Sequence, residues 1–186
     1  MRIISGKNRG TKLYTLEGLD TRPTLDRVKE ALFSKINIDL QDAIVLDLFA
    51  GSGALGLESI SRGAKKVYLC DSSYKAVKII NQNIVKTKSE DKTIVISKDY
   101  IKVLENLYKQ KIKFDIIFLD PPYKTNYNIE AINLILKYDL LNKDGMIIIE
   151  TDIEEEILKK LEPFSIDVYD VKKYGRVTLI FLKRKG

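Results

Sequence analysis

The chain has 186 residues, of which 45% are hydrophobic and 31% charged, and its formal net charge is +6. This length and composition fit one soluble globular domain, and no apolar run approaches the ~18 residues that a membrane helix requires. One cysteine excludes an internal disulfide, the absence of histidine excludes a histidine base, and we expect no metal site. The start of the sequence lacks the apolar core of a signal peptide, so we expect a cytoplasmic protein with Cys70 as a buried thiol.

Basic residues are concentrated at both ends of the chain. Residues 1–16 carry four basic residues and no acid, residues 171–186 carry six and no acid, and the remainder is mildly acidic. If the fold brings these ends together, they form a surface for a polyanion. Either end alone can be a solvated terminus, whereas the two together favour nucleic acid as a partner.

The predicted elements begin with a short irregular or β-like segment, residues 1–22, in which Gly6, Gly10 and Gly18 mark turns. Thr24 is a candidate N-cap for a helix that extends to about residue 37. Strand-like runs then alternate with helical stretches. The strand-like runs are 43–48, 66–70, 93–97, 114–119 and 146–150, and the helical stretches are 53–62, 73–87, 99–110, 127–138 and 152–161.

Two further alternating runs, 165–171 and 177–182, predict a hairpin at the end of the chain. Five successive strand–helix units predict an α/β fold: a doubly wound, mostly parallel, Rossmann-like sheet with right-handed crossovers and a C-terminal antiparallel hairpin. We interpret the chain as a single domain, with an N-terminal arm and helix at 1–37 and a catalytic core at 43–186.

A glycine-rich loop follows the first predicted strand. Gly51, Gly53 and Gly56 match the dinucleotide-binding fingerprint, and Asp71 lies 20 residues after Gly51, where it can accept hydrogen bonds from a ribose. Asp47, at the tip of the first strand, argues against a dinucleotide because it would repel a pyrophosphate. Its carboxylate suits an ammonium group instead.

S-adenosylmethionine carries an ammonium group, a ribose and an adenine, and no phosphate. Asp47 near the amine, Asp71 on the ribose and Asp99 beside the adenine would each follow a successive strand. Asp99 is equally suited to be a helix N-cap, and the two roles are compatible. The predicted cofactor residues are Asp47, Phe49, Gly51, Ser52, Gly53, Asp71, Ser72, Asp99, Tyr100 and Asp120.

The sequence Asp120-Pro121-Pro122-Tyr123 follows the apolar run 114–119, at the sheet edge where ligands bind in open α/β folds. A carboxylate, a carbonyl directed by rigid prolines and an aromatic ring can hold the exocyclic amine of a nucleobase. A proline-rich turn with Tyr123 as surface packing is the alternative. These four residues are the predicted catalytic group.

The glycine loop, Asp71 and the 120–123 tetrapeptide together resemble the amino-methyltransferases that use S-adenosylmethionine. Residues 2–10, residues 22–33 and the pair Tyr174-Gly175 narrow the resemblance to the RsmD-type small-subunit ribosomal RNA guanine-N2 methyltransferases. The similarity covers nearly the whole chain. It implies methyl transfer to the N2 of one guanine in ribosomal RNA within a small-subunit particle. Separately, we expect a monomer that needs no metal.

Seven residues are candidates for contacting RNA: Arg2, Lys7, Arg9, Arg22, Arg27, Tyr174 and Arg176. Arg27 can instead pair with Glu30 on the same helix. The competing functions are a DNA adenine-N6 methyltransferase, an NAD-dependent dehydrogenase, and a non-catalytic RNA-binding assembly factor. No segment between the strands is long enough for the target-reading region that a DNA enzyme usually has, and a dehydrogenase leaves Asp47 and the tetrapeptide unexplained.

Overall fold

A seven-stranded sheet with helices on both faces forms the fold of the computed structural model. The structure describes residues 1–16, 23–122 and 125–186, with only the backbone of Pro23 and Thr24. The strands are β1 (Ile44–Asp47), β2 (Lys66–Cys70), β3 (Thr93–Ile96), β4 (Phe114–Leu119), β5 (Leu141–Thr151), β6 (Ile166–Tyr174) and β7 (Val177–Arg184). The helices are α1 (Pro23–Ile36), α2 (Ala54–Ser61), α3 (Tyr74–Lys86), α4 (Tyr100–Lys109), α5 (Tyr127–Lys137) and α6 (Glu154–Leu161).

The strand order is β3-β2-β1-β4-β5-β7-β6, and the first five strands along the chain are parallel. The chain passes outward from β1 to β3 and then returns to the other side of β1 with β4. In open α/β sheets, ligands bind outside the carboxyl ends of the strands at such a reversal. The topology therefore places the candidate site beyond Asp47 of β1 and Leu119 of β4.

Two apolar clusters sandwich the sheet. One joins α1, α2 and α3 to one face, and the other joins α4, α5 and α6 to the opposite face. The central strands are apolar along their length because both of their faces are covered, as expected for parallel strands. The doubly wound fold predicted from the alternation of elements is confirmed.

The observed element bounds differ from the predicted ones in two informative places. Helix α1 begins at Pro23, one residue before the predicted N-cap Thr24, because the fixed φ of proline suits the first helical position. Strand β5 begins at Leu141, five residues before the predicted start, and the β4–β5 pairing shifts register between Phe114 and Ile116. The predicted turn at Gly18 lies outside the described residues.

The predicted hairpin is present, and its second strand is interior. Strand β7 lies between β5 and β6 and is antiparallel to both. Because Thr178 pairs with Thr151, the β6–β7 turn containing Arg176 lies at the carboxyl edge of the parallel strands. Lys183 pairs with Met146 near the opposite edge, where Arg184 bonds Asp139. The C-terminal cations are thus divided between two edges of the sheet.

The N-terminal arm is held to α2 by a buried carboxylate. Glu58, which is fully buried, accepts hydrogen bonds from the backbone N–H groups of Ile4 at 2.9 Å and Ser5 at 3.1 Å. Glu58 also forms ion pairs with Lys29 of α1, at 3.2 Å, and with Arg62, at 2.9 Å. The Lys29 Nζ donates in turn to the carbonyl oxygen of Arg2. The arm is therefore a packed part of the domain.

Over the described ranges, no helix combines the length and apolar character needed to cross a membrane.

Candidate functional site

A cavity of about 570 Å³ opens at the carboxyl ends of the parallel strands. Nine of the ten predicted cofactor residues line it; Gly53 is the exception, and it immediately precedes α2. Pro121 and Pro122 line the same cavity. Tyr123, the last member of the predicted catalytic group, lies outside the described residues, so its role stays a prediction.

The glycine loop has the backbone geometry that its sequence requires. Gly51 and Gly53 have φ values of 58° and 82°, in the left-handed region that favours glycine. Gly56 lies where α2 crosses β2, and a Cβ there would stand 2.3 Å from a methyl carbon of Leu69. The first two glycines therefore shape the loop, and the third permits close packing of helix against sheet.

Asp47 is a buried carboxylate at the cavity wall, with 2% of its surface exposed. Among the described residues, its hydrogen-bond partner is the backbone N–H of Gly56, at 3.1 Å. Burial raises the pKa of Asp47 to about 7, with Asp71 adding to the rise and the Gly56 N–H opposing it. A cation beside Asp47 would stabilise its ionised carboxylate and so offset the free-energy cost of ionising a buried group.

Asp71 connects the end of β2 to the glycine loop and to α3. Its Oδ2 accepts from the Gly51 N–H at 2.9 Å, and its Oδ1 accepts from the Ser73 N–H at 2.8 Å. A carboxylate has about four lone-pair sites, so both oxygens can still accept from a ligand. Ser73 itself caps α3 by accepting from the Ala76 N–H.

Asp99 combines the two roles that the sequence left open. Its Oδ1 accepts from the Ile101 N–H and so caps α4, and the residue also lines the cavity. The next residue, Tyr100, is buried, and its hydroxyl bonds Glu130. Burial, with the Glu130 hydrogen bond as the second cause, raises the pKa of the Tyr100 hydroxyl far above its usual value.

An aromatic wall stands beside Asp99. The ring of Phe49 lies 5.4 Å from that of Tyr100 and 6.1 Å from that of Tyr127, centre to centre. The Phe49 and Tyr127 rings are nearly parallel, at 9°. Tyr127 was not among the predicted site residues; it is the first residue of α5, and periodicity gives no sign that its ring faces the cavity.

Asp120 follows β4 directly, lines the cavity and is exposed to solvent there. Desolvation by the neighbouring protein raises the pKa of the Asp120 carboxyl above its usual range, and the charges of Glu150 and Asp47 raise it further. A carboxyl group with a raised pKa is a stronger proton acceptor than an ordinary aspartate, which is a property of catalytic bases.

Glu150 is a site residue that the sequence analysis missed. It lines the cavity and lies at the end of β5, next to Asp120, because Leu119 of β4 pairs with Ile149 of β5. Burial raises the pKa of Glu150 as well. The signal was present in the sequence, since a carboxylate ends the apolar run 146–150 just as Asp120 follows the run 114–119.

Acidic side chains outnumber basic ones in the described lining of the cavity. Five carboxylates line it, from Asp47, Asp71, Asp99, Asp120 and Glu150, against the two ammonium groups of Lys29 and Lys98. Lys29 is already paired with Glu58, and its burial lowers its pKa although Glu58 opposes this. The described lining is therefore suited to a ligand with positive charge and unsuited to a pyrophosphate.

The described residues among the predicted RNA contacts are spread over the N-terminal arm, α1 and the β6–β7 hairpin. Lys7 and Arg9 are exposed beside Ser61, the last residue of α2, about 12 Å along that eight-residue helix from the glycine loop. The Arg2 guanidinium lies 3.8 Å from the Asp26 carboxylate. Arg27 is exposed, and its alternative ion pair with Glu30 is absent from the described part of the chain. The remaining three differ in setting: Tyr174 packs against the core, Arg176 is exposed, and Arg22 lies outside the described residues.

Comparison with known proteins places the chain among methyltransferases. Residues 1–183 match the family described as "Conserved hypothetical protein 95". The "Ribosomal RNA small subunit methyltransferase D" of Escherichia coli is 34% identical over 186 residues, covering 100% of this chain and 91% of that protein. The protein of the same name from Haemophilus influenzae is 36% identical over 159 residues, covering 85% and 82%. Among solved structures, the "Putative methyltransferase yhhF from Escherichia coli" superimposes with a TM-score of 0.84 at 29% identity, covering 100% of this chain and 98% of that one.

Proposed function

The chain belongs to the conserved hypothetical protein 95 family and to the methyltransferase D proteins that it matches, and from this premise we propose a specific reaction. The protein transfers a methyl group from S-adenosylmethionine to the exocyclic N2 of a guanine in small-subunit ribosomal RNA. The observation that carries the proposal is the common cavity of Asp47, Asp71 and Asp120, which can hold a cationic cofactor and a nucleobase amine side by side.

The cavity fits S-adenosylmethionine better than it fits a dinucleotide. When bound, this cofactor supplies a methyl group on a positively charged sulfur. Asp47 would accept hydrogen bonds from its ammonium group, and Asp71, which is held at the loop by the Gly51 N–H, would accept them from the ribose. Five carboxylates against two lysines favour a cation and would repel a pyrophosphate.

The choice of guanine over adenine is supported by the pair of carboxylates at the ends of β4 and β5. The Watson–Crick edge of guanine presents adjacent donors, N1–H and the N2 amine, whereas adenine presents one amine beside an acceptor nitrogen. Asp120 can accept from the N2 amine while Glu150 accepts from N1–H. An adenine would place its N1 lone pair against a carboxylate, which costs the desolvation of an unpaired acceptor.

The protein's part in the reaction is to orient the amine and remove a proton. The N2 lone pair is delocalised into the ring, so Asp120 and the Pro121 carbonyl localise it by accepting the two N2 hydrogens. An N–C bond forms as an S–C bond breaks, and the nitrogen must then lose one proton. Asp120 takes that proton, for which its raised pKa suits it. Tyr123 would stack on the base, contributing about 1–3 kcal/mol toward the cost of extruding it.

The test offers radiolabelled S-adenosylmethionine to unmodified small-subunit particles, to naked ribosomal RNA and to duplex DNA, followed by nucleoside analysis. We expect N2-methylguanosine from an RNA substrate, with particles preferred because the target is proposed to be read in an assembling subunit. The same protein with Asp120→Ala is the negative control. Label found only as N6-methyladenine in DNA, or no label in any substrate, would contradict the proposal.

A further inference from the structure

The outward face of α3 carries large side chains that the fold leaves uncovered. Tyr74, Lys78, Asn81 and Val85 recur at helical spacing along this face. Tyr74 is 79% exposed and Val85 is 63% exposed, so neither contributes much to the core. The helix also contains three lysines and no acidic residue. A solvent-facing helix usually mixes both signs of charge, so this face has an unusual composition.

The N-terminal arm supplies the second wall of a groove along this face. Tyr14, which is 50% exposed, lies across α3 with its backbone fixed by the buried Asn83. The Tyr14 N–H donates to Asn83 Oδ1 at 2.8 Å, and Asn83 Nδ2 donates to the Tyr14 carbonyl at 2.9 Å. Lys86 Nζ sits 4.4 Å from the centre of the Tyr14 ring. The result is an open groove of about 650 Å³ between Tyr14 and α3.

The chemistry of this groove matches single-stranded RNA. It offers two tyrosine rings, two lysines and the amide side chains of Asn81 and Gln82, and its described lining contains no carboxylate. Proteins bind single-stranded nucleic acid by stacking bases on aromatic rings while cations follow the phosphates. A second copy of this chain is a poorer occupant, because a symmetric contact would bring the lysines of both copies together.

The groove also begins beside the catalytic cavity. Ser72 lines that cavity and lies two residues before Tyr74, the first residue of α3. Asn83 links the two regions directly, because its Nδ2 also donates to the carbonyl of Ser52 in the glycine loop, at 2.8 Å. A strand lying in the groove would therefore be positioned to continue into the cavity.

We propose that the groove between Tyr14 and α3 binds the single-stranded RNA that flanks the target nucleotide. Bases stack on Tyr14 and Tyr74, and Lys78 and Lys86 contact phosphates. The inference rests on the proposed function only in taking RNA as the substrate. It adds a surface to the RNA contacts expected from the basic ends of the chain.

The experiment measures fluorescence anisotropy of a labelled single-stranded RNA of about a dozen nucleotides, across a range of salt concentrations. Tyr74→Ala is expected to weaken binding about 5- to 150-fold, the factor for losing one base stack. Lys78→Ala is expected to reduce the slope of log affinity against log salt by about 0.7, the value for one phosphate contact on a single strand. Both side chains are exposed, so neither change disturbs the core.

The matched controls are Tyr108→Ala and Lys109→Ala, which remove an exposed tyrosine and an exposed lysine from α4 on the opposite face of the sheet. These are expected to bind the RNA as the unmodified protein does, and all four variants are expected to keep its affinity for S-adenosylhomocysteine. The inference is overturned if Tyr74→Ala binds RNA normally or if Tyr108→Ala loses as much. Equal competition by a blunt RNA duplex would overturn the single-strand assignment.

The groove and the reaction can fail separately. Binding of RNA that depends on Tyr74, without methyl transfer to any RNA, would support the groove and contradict the proposed reaction. Methyl transfer to RNA that is indifferent to Tyr74→Ala would support the reaction and contradict the groove.

Discussion

The carboxylate of Asp71 accepts a hydrogen bond from the backbone N–H of Gly51 at 2.9 Å, so the end of β2 fixes the loop that follows β1. The same carboxylate accepts from the Ser73 N–H at the start of α3. One side chain therefore sets the position of two segments that line the cavity. A ligand that contacts Asp71 would meet a site whose geometry is already established.

Replacement of Asp71 by alanine is expected to weaken S-adenosylhomocysteine binding by about 1.5–3 kcal/mol, or roughly 10- to 150-fold, because charged hydrogen bonds contribute that much. The measurement is isothermal titration calorimetry. Asp91→Ala, at an exposed position in the turn before β3, is the control and should bind normally. A preference of the unmodified protein for NAD over S-adenosylhomocysteine would contradict the proposed cofactor.

Asp47→Asn should change how stability depends on pH. The folded-state pKa of Asp47, about 7, lies above its ordinary value, so the folded protein binds more protons between about pH 4 and 7. The free energy of unfolding therefore falls as pH rises through that window, with the full cost present above pH 7. Asparagine cannot ionise, so the variant avoids this cost. Its free energy of unfolding, compared with that of the unmodified protein, should therefore increase by up to about 4 kcal/mol between about pH 4 and about pH 8. Urea denaturation at both pH values tests this, and a difference that does not vary with pH would refute it.

Asp120→Asn is expected to lower the single-turnover rate of methyl transfer by about 10²- to 10⁴-fold, the usual contribution of a general base. Cofactor affinity should be nearly unchanged, and the free energy of unfolding should not fall, because no described residue bonds this carboxylate and its surroundings disfavour its ionised form. Asp152→Asn, at an exposed position after β5, controls for loss of charge near the sheet edge. Turnover within a few-fold of normal would show that Asp120 is not the proton acceptor.

Glu150→Gln should move the acidic limb of the pH–rate profile to lower pH. The Glu150 charge contributes to the raised pKa of Asp120, together with burial and Asp47, so its removal lowers that pKa toward the usual range. Asp120 must be ionised to accept a proton, which means that the variant stays active at lower pH. The KM for RNA should also rise, because one acceptor for the guanine edge is weakened. An unshifted acidic limb would indicate that Glu150 does not act on Asp120.

Breaking the buried ion pair of the N-terminal arm should destabilise the fold. Glu58→Gln removes the charge that compensates Lys29 and Arg62, and we expect the free energy of unfolding to fall by about 3–5 kcal/mol. The matched control is Glu156→Gln, which breaks an exposed pair with Lys160 and should cost under about 1 kcal/mol. Urea denaturation measures both. Similar losses in the two variants would contradict this account of how the arm is held.

The local pattern of apolar and polar residues was sufficient to predict most of the fold. The alternation of apolar runs and helical stretches predicted the parallel strands, because buried parallel strands are apolar throughout and surface helices are not. It missed the first part of β5, since Asn142, Lys143, Asp144 and Gly145 have the composition of a turn. Leu141 pairs with Phe114 and Met146 pairs with Ile116, so these four residues form an irregularity between two positions that are paired with β4. That pairing is a long-range property of the folded sheet.

The site residues Asp47, Asp71 and Asp120 were predictable because each is an acidic residue at the end of a predicted strand. Glu150 meets the same criterion, because it ends the predicted strand 146–150, but it is not among the predicted site residues. Lys29 and Glu58 lie at buried positions of their helices, and a charged side chain at such a position gives no sign of its partner. Their pairing depends on how the N-terminal arm packs against α2, and the spacing of residues in the sequence does not reveal this packing.

The position of β7 has a consequence for the order in which the protein can be completed during synthesis. Residues 177–184 are made after the other six strands, yet they form an interior strand bonded on both sides. Until they emerge, Ile147 and Ile149 of β5 belong to an open sheet edge, and unpaired apolar edges invite association between chains. Translation of all seven strands must therefore precede closure of the sheet, so a nascent protein cut short before β7 would be exposed to aggregation.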